Sequence, residues 1–236
     1  MKALNCPSCG ASLSENAIKA DFAVCEFCGT TFRMSKTLTP EPSMGDLLLG
    51  ADFRSDILPG WELIKEGEIT FHKGNPSELR GFYKPRINSY YVLKSSGFLD
   101  DFDASITIKF TDGDEKLITA GFYPRLTNDG GYGVYISPVG SYNIGYFTID
   151  TTSGDFKWNT LVDWTHHASL RTGRNMPNRL RVICDGERFR IYLNGVLATS
   201  LKDNRYKMGK LFVVAEPNGE TNLGIAFSDL QVRDVI

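Results

Sequence analysis

The stretch "RLRVICDGERFRIYLNGVLATS" (179–200) decides the fold. Leu180, Val182 and Cys184 alternate with Arg179, Arg181 and Ile183. After a turn, Phe189, Ile191 and Leu193 alternate with Arg188, Arg190 and Tyr192. Period-two alternation is the pattern of a strand with one buried face. The turn can be Asp185-Gly186 (type I′) or Gly186-Glu187 (type II′), both favoured in tight hairpins. These registers differ by two residues, so every side chain keeps its face in either. Asn194-Gly195 makes a second hairpin into "VLATS" (196–200). The product is a β-meander with one apolar face, on which Cys184 reads as a small core residue, and one face carrying four arginines.

The same pattern extends outward. "WELIK" (61–65), "EITFHK" (68–73), "SYYVLK" (89–94), "ASITIKF" (104–110) and "LITAGFY" (117–123) are short runs rich in β-branched and aromatic residues. "YGVYIS" (132–137), "YNIGYFTI" (142–149), "KLFVVAE" (210–216) and "GIAFSDLQV" (224–232) continue it. Turn residues separate the runs at regular intervals, which predicts an antiparallel sandwich rather than a parallel sheet. No amphipathic helix longer than two turns is expected, and no apolar run approaches the roughly 20 residues of a membrane helix. "HKGNPSELRGFYKPRIN" (72–88) reads as a long decorated loop suited to binding.

Composition sets broad limits. With 236 residues, 42% hydrophobic and 12% aromatic, the chain can bury a substantial core and has room for a small second element. A formal net charge of −2 gives no global field toward nucleic acid or anionic membranes. The start, "MKALNCPSCG", lacks the apolar stretch of a secretory signal, so a cytoplasmic location is expected.

That start holds Cys6 and Cys9, matched by Cys25 and Cys28 in "CEFCG" (25–29). The C-x2-C-x15-C-x2-C spacing suits a four-thiolate Zn2+ site, and the reducing cytosol disfavours a structural disulfide. A thioredoxin-like redox motif expects a single pair opening a helix, which this is not. Gly10 and Gly29 follow the second cysteine of each pair and let the backbone curl toward the thiolates. Four protein ligands leave no open position, so the expected role is structural. The first 35 residues resemble the zinc ribbon family, with both knuckles intact. Residues 36–50, rich in Ser, Thr and Pro, read as a linker. The expected organisation is therefore 1–35 zinc ribbon, 36–50 linker and 51–236 β-sandwich.

The meander carries a second resemblance. "PNRLRVICDGERFRIYLNGVLATSLKD", then "GKLFVVAE" and "IAFSDLQV", resemble the end of a concanavalin A-like jelly roll. The version is the LamG-like or family-16-glycosidase-like domain appended to many bacterial proteins. "DILPGWE", "YYVLKSSGFLDDFDASITIKF" and "GYGVYISPVGSYNIGYF" match the same pattern in order, so the resemblance spans 51–236. It implies a two-sheet antiparallel sandwich that binds through its concave sheet or rim loops, with Trp61 as a packing anchor. A family-16 enzyme would also carry acids alternating along one strand.

The nearest acids to that motif, Asp112, Asp114 and Glu115, sit in "TDGDEK" and read as a surface turn. Asp100, Asp101 and Asp103 suit a hard cation such as Ca2+, but the preferred reading is solvated acids where a strand begins. His72, His166 and His167 have no accompanying nucleophile motif. No catalytic residue or bound organic cofactor is expected. Two surfaces are candidates for a ligand or partner. One is Arg179, Arg181, Arg188 and Arg190, whose charges either pair with acids on a neighbouring strand or dock an acidic partner. The other is Tyr132, Tyr135, Tyr142, Tyr146, Trp158 and Trp164, either a sugar-stacking platform or ordinary sandwich aromatics. The resulting expectation is a non-enzymatic recognition or adaptor protein, with a partner protein ranked before a glycan. A glycoside hydrolase of the same fold is the alternative, and nucleic-acid binding through the nearly neutral ribbon comes last.

Overall fold

The computed structural model describes residues 18–19, 22–24, 26–29, 31–33, 44–85 and 89–235. The chain divides into two compact units, Met1–Glu41 and Pro42–Ile236. In the first, β1 (Ile18–Lys19), β2 (Phe22–Val24) and β3 (Thr31–Arg33) form a three-stranded antiparallel sheet in that order. Cys28 lies exposed in the turn between β2 and β3, followed by Gly29 at φ 73°. Cys6, Cys9 and Cys25 lie outside the described residues. Among the described residues no cluster of three metal-ligating side chains occurs.

The second unit contains β4 (Leu47–Gly50), β5 (Trp61–Leu63), β6 (Glu68–His72), β7 (Glu78–Tyr83), β8 (Tyr90–Ser95) and β9 (Phe102–Asp112). These are followed by β10 (Ile118–Leu126), β11 (Gly130–Ile136), β12 (Ser141–Ile149) and β13 (Phe156–His166). The last five are β14 (Asn178–Asp185), β15 (Arg188–Leu193), β16 (Val196–Lys202), β17 (Lys210–Pro217) and β18 (Leu223–Arg233). Two antiparallel sheets result. One has the order β13-β12-β11-β10-β17-β8-β5, and the other β16-β15-β14-β9-β18-β7-β6 with β4 added against β18. No described residue is helical, and no helix is long and apolar enough to cross a membrane.

The sheets close over one core. Leu180, Val182, Cys184, Phe189 and Ile191 from the arginine-bearing meander face Phe122, Val134, Ile136, Leu211 and Val213 from the other sheet. Each such fully buried aliphatic or aromatic side chain contributes about 1.5–3 kcal/mol over its exposed state. Burial also pushes the Cys184 thiol up to about 12, consistent with an inert core position. Trp61 is buried in the same core, as its anchor role requires. The hairpin register pairs Asp185 with Arg188, leaving Gly186-Glu187 as the turn, with Gly186 at φ 54°. Asn194-Gly195 follows with both residues at positive φ, the type I′ pattern. In β18 a bulge at Asp229 separates Ile225 and Phe227 from Leu230 and Val232 and keeps all four inward despite their odd spacing.

Three segments depart from the sequence reading. Residues 72–88, expected as one long loop, contain β7, which is hydrogen-bonded between β6 and β18. Leu47–Gly50, placed in the linker, is a strand on β18. β13, eleven residues long, was not foreseen at all. Its sequence lacks alternation because bulges interrupt its pairing to β12 around Leu161 and Asp163–Trp164.

A candidate ligand cleft on the outer face of the seven-stranded sheet

Alternation has a second consequence in the seven-stranded sheet. With Ile118, Ala120 and Phe122 inward, Thr119, Gly121 and Tyr123 face out, and Val214 and Glu216 do the same on β17. Tyr135 on β11 and Phe147 on β12 join them. The outward side chains form a carpet of rings in which Tyr123 contacts Phe147 at 4.8 Å between centroids, Tyr91 at 6.1 Å and Tyr135 at 5.8 Å. Trp158 extends it, stacked on Phe147 at an interplanar angle of 17°.

Trp158 has a specific seat. Gly133 and Gly145 are paired across β11 and β12, and the indole lies over both. A Cβ at Gly133 would come within 2.7 Å of Trp158 Cη2, and one at Gly145 would fall inside the van der Waals envelope of Cζ2. Neither glycine has a positive φ, so it is the close approach of the ring that demands them.

The carpet floors a cleft of about 830 Å³. Phe156, Trp158 and Ile149 line one part, and Trp164 stands half-exposed at the rim. Lys116, Thr119, Asn143, Glu216 and Asn218 supply polar groups. Asn143 is held by its amide donating to the Val162 carbonyl at 2.9 Å, so its other polar atom is pre-oriented. Glu216 is the one acid lining the cleft among the described residues. Burial raises its carboxyl above the usual range, and hydrogen bonding from Tyr135 and Ser89 lowers it in part. Ser89 and the Tyr123 hydroxyl are 2.7 Å apart, and the Tyr123 and Tyr135 hydroxyls form a short hydrogen bond. Burial raises both phenols, Tyr135 strongly, so they remain protonated donors. A larger depression of about 1030 Å³ lies beside β4 and the β6–β7 turn, but it has no aromatic lining and its Arg54 is paired to Asp52.

The expected aromatic set is thereby split. Tyr135, Trp158 and Trp164 are in the cleft. Tyr132 and Tyr142 point the other way, into the core, and Tyr146 packs against that core under the Arg205 guanidinium at 4.1 Å. The reason is parity: Tyr132 pairs with Tyr146 across the strands and shares its face, while Tyr135 is an odd number of residues away. Tyr91, Tyr123, Phe156 and Glu216 were not singled out from the sequence.

The arginine set lies on the outer face of the other sheet and is partly compensated there. Arg181 is buried and holds Asp103 through two bonds, Nε–Oδ1 at 2.8 Å and Nη2–Oδ2 at 2.5 Å. Arg179 donates to Ser105 Oγ at 3.1 Å, Arg190 is 3.5 Å from Asp185, and Arg188 is exposed. Pairing with acids on this face thus accounts for Arg181 and Arg190, while Arg179 bonds a neutral hydroxyl. Nor are the nearby acids all solvated. Asp103 is buried in this ion pair, and Asp101 accepts from Arg125 Nη2 at 2.9 Å and the Gly186 amide at 2.8 Å. These contacts give both carboxylates arginine or backbone partners. Asp114 sits in the β9–β10 turn, its carboxylate accepting from the Lys116 amide at 3.0 Å, as expected.

No protein-family model matches the chain, and no curated protein matches it in sequence. Solved structures of similar fold do. The carbohydrate-binding module CBM66 from Bacillus subtilis aligns at TM-score 0.53 and 16% identity, over 74% of this chain and 96% of its own. A glycoside hydrolase family 16 endo-glucanase from Bacteroides ovatus aligns at TM-score 0.57 and 12% identity, over 79% and 100%. The Bacillus licheniformis β-glucanase aligns at TM-score 0.53 and 11% identity, over 82% and 100%. At these identities the likeness is one of fold. The second unit is a two-sheet antiparallel β-sandwich whose fold is like that of these family-16 and carbohydrate-binding structures.

Proposed function

We propose that the sandwich is a glycan-recognition module whose ligand lies on the aromatic carpet of the outer cleft. The observation that carries this reading is Trp158 seated flat on Gly133 and Gly145 beside Tyr135, with Asn143 and Glu216 within the same cleft. Sugar rings present apolar C–H faces to aromatic rings and hydroxyls to polar side chains, and this lining offers both. Carbohydrate-binding and glycan-cleaving proteins among the fold's relatives support the same ligand class, and the glycan moves ahead of the protein partner first expected.

Binding without cleavage is the preferred form. A retaining glycosidase needs two carboxyl groups about 5 Å apart and an inverting one a wider pair. Glu216 has no acidic neighbour among the described residues lining the cleft. Calorimetric titration of the full chain with soluble neutral glucan oligosaccharides, together with a reducing-sugar assay, tests both statements. Saturable binding with no sugar release is expected. Release would revive the hydrolase, and no binding to any neutral glycan would overturn the module.

For the N-terminal unit we propose a structural Zn2+ held by Cys6, Cys9, Cys25 and Cys28, in a protein of a reducing, cytoplasmic compartment. Cys28 in a turn closed by a positive-φ glycine fits one knuckle of such a site. Metal analysis should find one zinc per chain, lost in Cys28→Ser. A metal-free, folded N-terminal unit would overturn the assignment.

A further inference from the structure

Glu216 is the cleft's unusual group. It projects from β17 beside Thr119 on β10, with Ser89 and Tyr91 on the β8 side, Tyr123 and Tyr135 on β10 and β11, and Asn218 just beyond its own strand. Among the described residues it makes no ion pair. Lys116, the cation of the cleft, is exposed and is not within pairing distance. A carboxylate in this position keeps its charge only through water and the hydroxyls of Tyr135 and Ser89.

A ligand lying on the carpet removes that water. The charged form then loses solvation, and among the described residues no cation stands within pairing distance to replace it, which is costly for a carboxylate already partly withdrawn from water. The neutral acid loses little and gains a function. Its O–H donates to a ligand oxygen while its carbonyl oxygen still accepts from the Tyr135 and Ser89 hydroxyls. The Tyr123 and Tyr135 hydroxyls stay protonated because burial and the nearby carboxyl raise them. Among the described residues lining the cleft there is no histidine and no second acid, and burial holds the Glu216 carboxyl above the usual glutamate range.

We propose that Glu216 engages the ligand as its neutral acid, making it a specificity-determining residue that favours neutral glycans and couples their binding to uptake of a proton. This inference rests on the glycan reading of the cleft and adds the protonation state and charge preference of its ligand site.

The test is titration of the full-length protein and of Glu216→Gln with a neutral glucan oligosaccharide at about pH 5 and about pH 8, in buffers of differing ionisation heat. Wild-type affinity should be several-fold higher at the lower pH, with net proton uptake. Glu216→Gln, which fixes the neutral state, should bind with an affinity that no longer depends on pH. Affinity that rises with pH in the wild type, or that is flat, overturns the proposal while leaving the glycan module standing. So does a pH dependence that survives in Glu216→Gln. Loss of binding by Glu216→Gln at both pH values, with a thermal midpoint no lower than that of the wild type, would show that the carboxylate itself is required and would also overturn it. If the wild type binds no glycan at either pH, the module reading fails and this inference fails with it.

Discussion

The two sheets of the sandwich have outer faces built by the same alternation and finished in opposite ways. On the eight-stranded sheet the outward residues of β9, β14 and β15 include Asp103, Ser105, Arg179, Arg181, Asp185 and Arg190, which bond as Arg181 to Asp103, Arg179 to Ser105 and Arg190 to Asp185. On the seven-stranded sheet the outward residues include a cluster of aromatic rings around Glu216, an acid with no ion pair among the described residues. A face whose buried ion pair is already closed has less left to offer a ligand. A face with a packed ring floor, half-exposed Phe156 and Trp164 at its edge, a pre-oriented Asn143 amide and an acid with no ion pair among the described residues retains that capacity. The arginines are the more conspicuous feature of the sequence and the aromatics the more consequential feature of the fold.

The contrast implies separable variants. Asp103→Ala leaves the Arg181 guanidinium buried beside an empty position. It should cost about 3–5 kcal/mol in urea unfolding while glycan affinity of the folded fraction stays unchanged. A binding defect at equal stability would show that the two faces are coupled. Trp158→Ala should do the converse, lowering glycan affinity about 30-fold (roughly 2 kcal/mol) with little change in thermal midpoint. Gly145→Ala keeps the tryptophan but removes its seat. An affinity loss of about 1 kcal/mol and an altered indole emission are expected, and wild-type behaviour in both would show that the seat is unnecessary.

A smaller effect concerns pH. Because the folded state raises the Glu216 carboxyl above its unfolded value, the folded protein holds that proton more tightly. The associated stability is present in acid and lost as pH rises from the ordinary glutamate range through the raised value. The thermal midpoint of Glu216→Gln should therefore exceed that of the wild type at neutral pH, with the gap closing near pH 4. A gap of the opposite sign would mean that the carboxylate is stabilised in the fold. Arg188→Ala, exposed at a hairpin, should change stability and binding by no more than about 0.5 kcal/mol.

Much of this architecture was legible because strands with one buried face announce themselves. The meander at 179–200, the "LITAGFY" and "KLFVVAE" strands and the sandwich class all follow from period two. What stayed hidden has physical causes. β7 carries Gly81 and Arg80 within a strand, which dilutes its β signal, and β4 is only four residues long. β13 is exposed along most of its length, and its bulges break the period. The cleft suffered from a different ambiguity. Alternation tells which side chains share a face but not which face meets the core, so Tyr132, Tyr142 and Tyr146 could not be told apart from Tyr135 in role until the sheets were paired. Glu216 was invisible because an acid ending a strand reads as solvated.

β13 lies at the end of its sheet and is hydrogen-bonded to β12 alone, yet it carries Trp158, Trp164 and Phe156. Strands of this kind open locally far more often than those flanked on both sides. Amide exchange should therefore be faster along β13 than along β11 or β14, and the recognition surface should come and go with this single strand while the sandwich stays folded. Saturation with ligand should slow exchange on β13 selectively, so that ordering the edge of the sheet and filling the cleft become one event.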